Sequence, residues 1–106
     1  MSIQMISGVA VFETGERLDV IDGQKLKDIV NKLPSETGLR LVVDMGKTRF
    51  MDSSGCGGLV WCLRKISSNN GEIKIARPNE TCLQTLTIAK LHRLMDIHNT
   101  LESAVK

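Results

Sequence analysis

The chain has 106 residues, the size of one ordinary domain, with enough apolar sequence for a single core without disulfides or a structural metal. Its 14 basic and 12 acidic residues leave a net charge of +2 and are scattered along the chain, which argues against nucleic acid or an anionic membrane as a partner. Apolar residues make up 42% and aromatics only 3% (Phe12, Phe50 and Trp61), so the core must be aliphatic and a base-stacking surface is not expected.

Residues 3–6 and 9–13 alternate as strands, and Ser7-Gly8 between them is a tight-turn pair. Thr14-Gly15-Glu16 breaks the second strand, and Leu18, Val20 and Ile21 lead toward a first helix. Asp22 is the expected cap of that helix. Leu26, Ile29, Val30 and Leu33 fall at i, i+3, i+4 and i+7 and define its buried face, and Pro34 ends it. Residues 39–44 contain Leu41-Val42-Val43, a run suited to a strand buried on both faces. A loop over 45–52 is expected next, then a helix over 54–67 with Leu59, Cys62, Leu63 and Ile66 inward, stopped at Asn69-Asn70-Gly71.

Residues 72–76 alternate around Ile73 and Ile75 as a further strand. Pro78-Asn79 opens a third helix with Cys82, Leu83 and Leu86 as its stripe. A short last strand is expected over 94–97. Asn99, with Glu102 three residues on, predicts the start of a terminal helix with Leu101 and Val105 inward. This alternation implies right-handed crossovers and an α/β domain spanning 1–106, with a mixed, mostly parallel sheet of four to five strands and about four helices.

Cys56, Cys62 and Cys82 form no paired spacing and read as reduced thiols. The start of the chain lacks a basic region followed by an apolar run, and no apolar stretch approaches the ~20 residues that span a bilayer. The expectation is a cytoplasmic protein. Lys90, His92 and Arg93 read as a solvated helix end rather than a binding patch.

The chemistry is concentrated in Phe50-Met51-Asp52-Ser53-Ser54-Gly55-Cys56-Gly57-Gly58, between a buried strand and a helix, where α/β sheets place their sites. Amides in the first helical turn lack intrahelical acceptors and carry partial positive charge, so a phosphate on a serine there meets a favourable field. Asp52, Ser53 or Ser54 could equally serve as a plain helix cap, with the glycines permitting close packing. A serine hydrolase would need His92 or His98 as base, both far along the chain, and the Gly-x-Ser-x-Gly elbow is missing. The spacings of Cys56, Cys62, Cys82, His92 and His98 match no zinc pattern. Cys56 stands at a helix start, which can lower a thiol pKa, so a redox role is a minor alternative. Met1, Met5, Met45, Met51 and Met95 follow no stripe and read as core or terminus, whereas Trp61 lies off the main apolar face.

The segment Asp52-Ser53-Ser54-Gly55-Cys56-Gly57 resembles the signature of the STAS domain family, specifically the bacterial anti-sigma factor antagonists. The likeness extends to Gly15-Glu16-Arg17-Leu18-Asp19, to the acidic strand end Leu41-Val42-Val43-Asp44-Met45, and to the closing segment with Thr100-Leu101-Glu102-Ser103-Ala104. The resemblance implies a non-enzymatic partner-switching protein without a cofactor. Ser53, directly after Asp52, would be the phosphorylated residue, and Asp52, Ser53, Ser54, Gly55, Cys56 and Gly57 would be the partner-binding loop. A kinase-type anti-sigma factor would be both binder and modifying enzyme, and a PP2C-type serine phosphatase would reverse the mark. The alternative within the family is an adaptor or scaffold subunit of a transport or signalling complex that uses no phosphoswitch. Cys56 stands where the family usually has an aliphatic residue, and Ala89-Lys90-Leu91 lacks the usual Gly-Leu before the last strand.

Overall fold

The computed structural model describes residues 2–33 and 38–106. The opening hairpin joins β1 (Ser2–Ile6) to β2 (Val9–Glu13) through Ser7 and Gly8, both at positive φ (52° and 79°), the geometry that matches strand twist in two-residue turns. β2 runs parallel to β4 (Arg40–Asp44), which runs parallel to β6 (Glu72–Ala76) and through it to β7 (Asp96–His98). Among the described residues the sheet is five-stranded, in the order β1-β2-β4-β6-β7, with only β1 antiparallel. The mixed, mostly parallel sheet expected from the sequence is therefore observed.

β4 is central, so both of its faces are covered. Leu41 and Val43 join Phe12, Ile73 and Ile75 in the larger core beneath three helices: α1 (Val20–Lys32), α2 (Ser53–Ser67) and α3 (Glu80–Ile88). Val42 faces the other way, into a smaller cluster of Val9, Val11 and Ala76 closed by Ala104 of α4 (Leu101–Val105). Strand alternation thus divides one apolar run between two cores.

Several boundaries differ from the sequence reading. α1 begins at Val20, not at Asp22. Asp19 is extended, and its Oδ1 accepts from the amides of Ile21 and Asp22 at 3.0 and 3.1 Å, so Asp22 falls in the first turn as a dipole-matched charge. The expected stop at Pro34 lies outside the described residues. The 45–52 segment is not all loop, because β5 (Phe50–Met51) pairs in parallel with β3 (Arg17–Leu18). In α3, Cys82 and Leu86 are buried, but Leu83 is 39% exposed and lies outside the stripe. The last strand is displaced to Asp96–His98, after a single 3-10 turn at Leu91–Arg93, which leaves Leu94 exposed. The cap of α4 is Thr100, whose Oγ1 accepts from the Ser103 amide at 3.1 Å, rather than Asn99. Met45, Met51 and Met95 are core residues, whereas Met5 is exposed on β1.

Candidate functional site

The β3–β5 pair sets the position of the site. Leu18 lies opposite Met51, so the next residue on each strand, Asp19 and Asp52, is an extended aspartate that caps a helix. α1 and α2 consequently start side by side and bring two positive helix ends to one edge of the molecule. Asp52 Oδ1 accepts from the Gly55 amide at 2.9 Å, and the first intrahelical bond runs from the Cys56 amide to the Asp52 carbonyl at 3.1 Å. The cap is therefore Asp52. Ser53 and Ser54 are the first two helical residues, both exposed, with their amides ahead of that first bond.

The glycines of α2 have different neighbours. A Cβ on Gly55 would collide with the carbonyl oxygen of Leu18, the same group that accepts from the Asp52 amide at 3.3 Å. A Cβ on Gly58 would lie 3.1 Å from the Gly23 Cα, where α1 and α2 touch through their backbones. A Cβ on Gly57 would meet nothing. The residue between them, Cys56, turns inward and is buried.

Burial pushes the Cys56 thiol up from its ordinary range, and the Asp52 carboxylate pushes it in the same direction. Desolvation and the neighbouring anion thus act against the lowering that a helix start can bring, which counts against the minor redox alternative. Burial also raises Cys62, to about 12 despite the opposing charge of Lys27, and raises Cys82, with Cys56 adding to the effect. All three thiols are free and buried.

The acidic strand end serves structure. Asp44 is buried and forms a two-pronged pair with Arg77, Nε to Oδ1 at 2.9 Å and Nη2 to Oδ2 at 2.7 Å, and accepts from the Gly46 amide at 3.0 Å. That pair raises the Arg77 pKa, mainly through its hydrogen bonds to Asp44. Thr14 and Thr48, both buried, hydrogen-bond each other, and Thr48 also donates to the Gly15 carbonyl at 2.7 Å. This network ties the ends of β2 and β4 together beneath the site.

The histidines lie elsewhere. His92 is on the 3-10 turn after α3, and His98 Nδ1 is 2.6 Å from Ser103 Oγ of α4, on the opposite face of the sheet from α2. Among the described residues no group of three or more His, Cys, Asp and Glu side chains is placed to hold a metal ion, and no helix is long and apolar enough to cross a membrane. Lys90 takes φ 62°, the left-handed conformation that glycine adopts freely and a lysine adopts only with strain.

The sequence reading did not identify what surrounds the serines. Val20 and Ile21 are 66% and 63% exposed on the first turn of α1, and Phe50 is half-exposed beneath the Arg17 guanidinium, 4.3 Å from the ring centroid. A groove of about 440 Å³ between α1 and α2 is lined by Val20, Lys27, Ser54, Gly57, Trp61 and Arg64. The signal available in the sequence was that Ser54, Gly57, Trp61 and Arg64 recur at helical spacing.

Solved structures of similar fold include the Thermotoga maritima protein TM1081, assigned as an anti-sigma factor antagonist, with 21% identity and a TM-score of 0.82 over 97% of this chain and 89% of that one. The anti-sigma factor antagonist SpoIIAA in its unphosphorylated form matches with 20% identity and a TM-score of 0.78 over 98% and 91%. The STAS domain of a SulP transporter from Vibrio cholerae matches with 16% identity and a TM-score of 0.78 over 96% and 81%. These likenesses concern the fold. The STAS domain family model matches residues 1–104, and the chain belongs to that family.

Proposed function

We propose that the chain is an anti-sigma factor antagonist that works by partner switching. With Ser53 unmodified, the exposed start of α2 binds a kinase-type anti-sigma factor. With Ser53 phosphorylated, the partner is released, and a PP2C-type serine phosphatase restores the binding form. The observation that carries this reading is Ser53 itself, an exposed hydroxyl immediately after the Asp52 cap, at the positive end of a helix. In the modification step Ser53 Oγ attacks the γ-phosphorus of ATP, ADP leaves, and the hydroxyl proton passes to a base supplied by the kinase.

A phosphate adds about −1.5 to −2 charges at neutral pH. The amides of Ser53 and Ser54 and the helix dipole favour it locally, so the fold tolerates the mark. An interface built against an uncharged backbone does not, since burying a hydrated anion beside Asp52 without an opposing cation costs several kcal/mol. The effect falls on binding and not on folding.

A second reading, a STAS adaptor without a phosphoswitch, is supported by the equal TM-scores of 0.78 to SpoIIAA and to the SulP transporter domain. The intact Asp52-Ser53 pair favours the switch. Incubation with ATP and a kinase-type anti-sigma factor, followed by mass spectrometry, tests it. Label is expected on wild type and Ser54→Ala and none on Ser53→Ala. Ser53→Asp should weaken kinase binding at least roughly tenfold, or about 1.4 kcal/mol, with little change in Tm. Undiminished affinity of Ser53→Asp, or label retained on Ser53→Ala, overturns the switch.

A further inference from the structure

Three glycines stand within four residues in α2, and only two are required by the fold. Gly55 lies against the Leu18 carbonyl and Gly58 against the Gly23 backbone, so a side chain at either position would push elements apart. Gly57 is exposed, helical and faces open space. Glycine in a helix interior is unfavourable relative to alanine, so nothing inside the molecule explains Gly57.

Gly57 lines the groove between α1 and α2, next to Gly58, which makes the backbone contact with α1. Val20 and the ring of Trp61 provide apolar walls, and Lys27 and Arg64 provide the charge. Lys27 Nζ lies 5.9 Å from the centroid of the Trp61 ring. Among the described residues neither Lys27 nor Arg64 is engaged by a carboxylate, whereas Arg40, Lys47 and Arg77 each have one. Exposed glycine backbone, apolar walls and two cations without a carboxylate partner suit a peptide segment with an apolar side chain that seats on Gly57 and acidic residues that meet Lys27 and Arg64.

We propose that this groove is the docking seat for an acidic, apolar-tipped segment of the protein partner, with Gly57 kept as glycine so that the segment can approach the backbone. This rests on the reading that the α2 start binds a protein, and it adds where the partner is gripped and with what chemistry. Ser54 lines the same groove and Ser53 precedes it on α2, so the switch and the seat are contiguous.

The test uses the full chain, unphosphorylated, titrated by calorimetry with the kinase-type partner. Gly57→Ala should raise the Tm by roughly 4 °C, as expected for an exposed helical glycine. It should also weaken binding at least tenfold, a combination that a purely structural glycine does not produce. Lys27→Glu combined with Arg64→Glu should also weaken binding tenfold or more and remove much of its salt dependence. Trp61 is the sole tryptophan, so the single fluorine signal of 5-fluorotryptophan-labelled protein should shift on binding. Weakening by Ser53→Asp with full affinity in Gly57→Ala and in the charge-reversed variant overturns the groove while leaving the switch intact. A wild type that does not bind the kinase overturns both. Dimerisation of the wild type that Gly57→Ala abolishes assigns the groove to a second copy and overturns the proposal.

Discussion

Substituting Gly55 by alanine tests whether α2 is seated on β3 as closely as the site requires. The added methyl would overlap the Leu18 carbonyl oxygen, with the Leu18 carbonyl carbon at 2.9 Å and Leu18 Cγ at 3.0 Å. Because the obstacle is backbone held in the β3–β5 pair, it cannot rotate away, and the cost belongs near the upper end of overpacking, about 3 kcal/mol. Alanine recovers about 1 kcal/mol of helix propensity, leaving a net loss of about 2 kcal/mol. At about 4–8 °C per kcal/mol for a domain near this size, the Tm should fall by roughly 8–16 °C. Gly58→Ala meets the Gly23 Cα at 3.1 Å and needs only a few tenths of an ångström of adjustment, so its cost and its propensity gain should nearly cancel. Urea denaturation of both variants beside wild type gives the order directly. A Gly55→Ala protein as stable as wild type would refute the close seating of α2 on β3, and with it the shared origin of the two helix starts.

Asp52→Ala should lose the cap to the Gly55 amide and about 1 kcal/mol, a Tm fall of roughly 4–8 °C, whereas Asp52→Asn should retain most of it; thermal melts distinguish them. Arg77→Met should cost about 2 kcal/mol, less than breaking a fully buried pair because Arg77 is half-exposed, and denaturant titration reads the loss. The thiols are neutral in the fold, with Cys62 held up at about 12, while in the unfolded chain they ionise near ~8.5. For Cys62 the contribution to stability is therefore complete below about pH 8.5 and is lost as pH rises toward 12, by about 1.4 kcal/mol per pH unit, and Cys56 and Cys82 act in the same direction. Urea melts at pH 8, 9 and 10 should show this decline, and Cys62→Ala should flatten it. Cys56 should react with a thiol reagent at pH 8 far more slowly in the native protein than in urea, against the fast labelling that an activated helix-start cysteine would show.

The hairpin, the doubly buried central strand and the helices were legible because their signals are local. Ser7-Gly8 specifies a turn through the φ values it tolerates, Leu41-Val42-Val43 is a strand with two covered faces, and Leu26 and Val30 repeat at helical spacing. The Asp52-Ser53 motif was legible for the same reason, as a short run of residue types. The pairing of Leu18 with Met51 was not legible, since a two-residue ladder has no period and its partners lie far apart in the chain. Without that pairing, Val20 and Ile21 read as the end of an apolar approach rather than as exposed helix, and Asp22 read as the cap in place of Asp19. The three glycines are chemically identical in the sequence. Only the element opposite each one separates Gly55 and Gly58, which the packing needs, from Gly57, which it does not. Cys56 follows the same rule. A helix start is a local property that lowers a thiol pKa, but burial and proximity to Asp52 are set by packing from the rest of the chain, and desolvation was the larger effect.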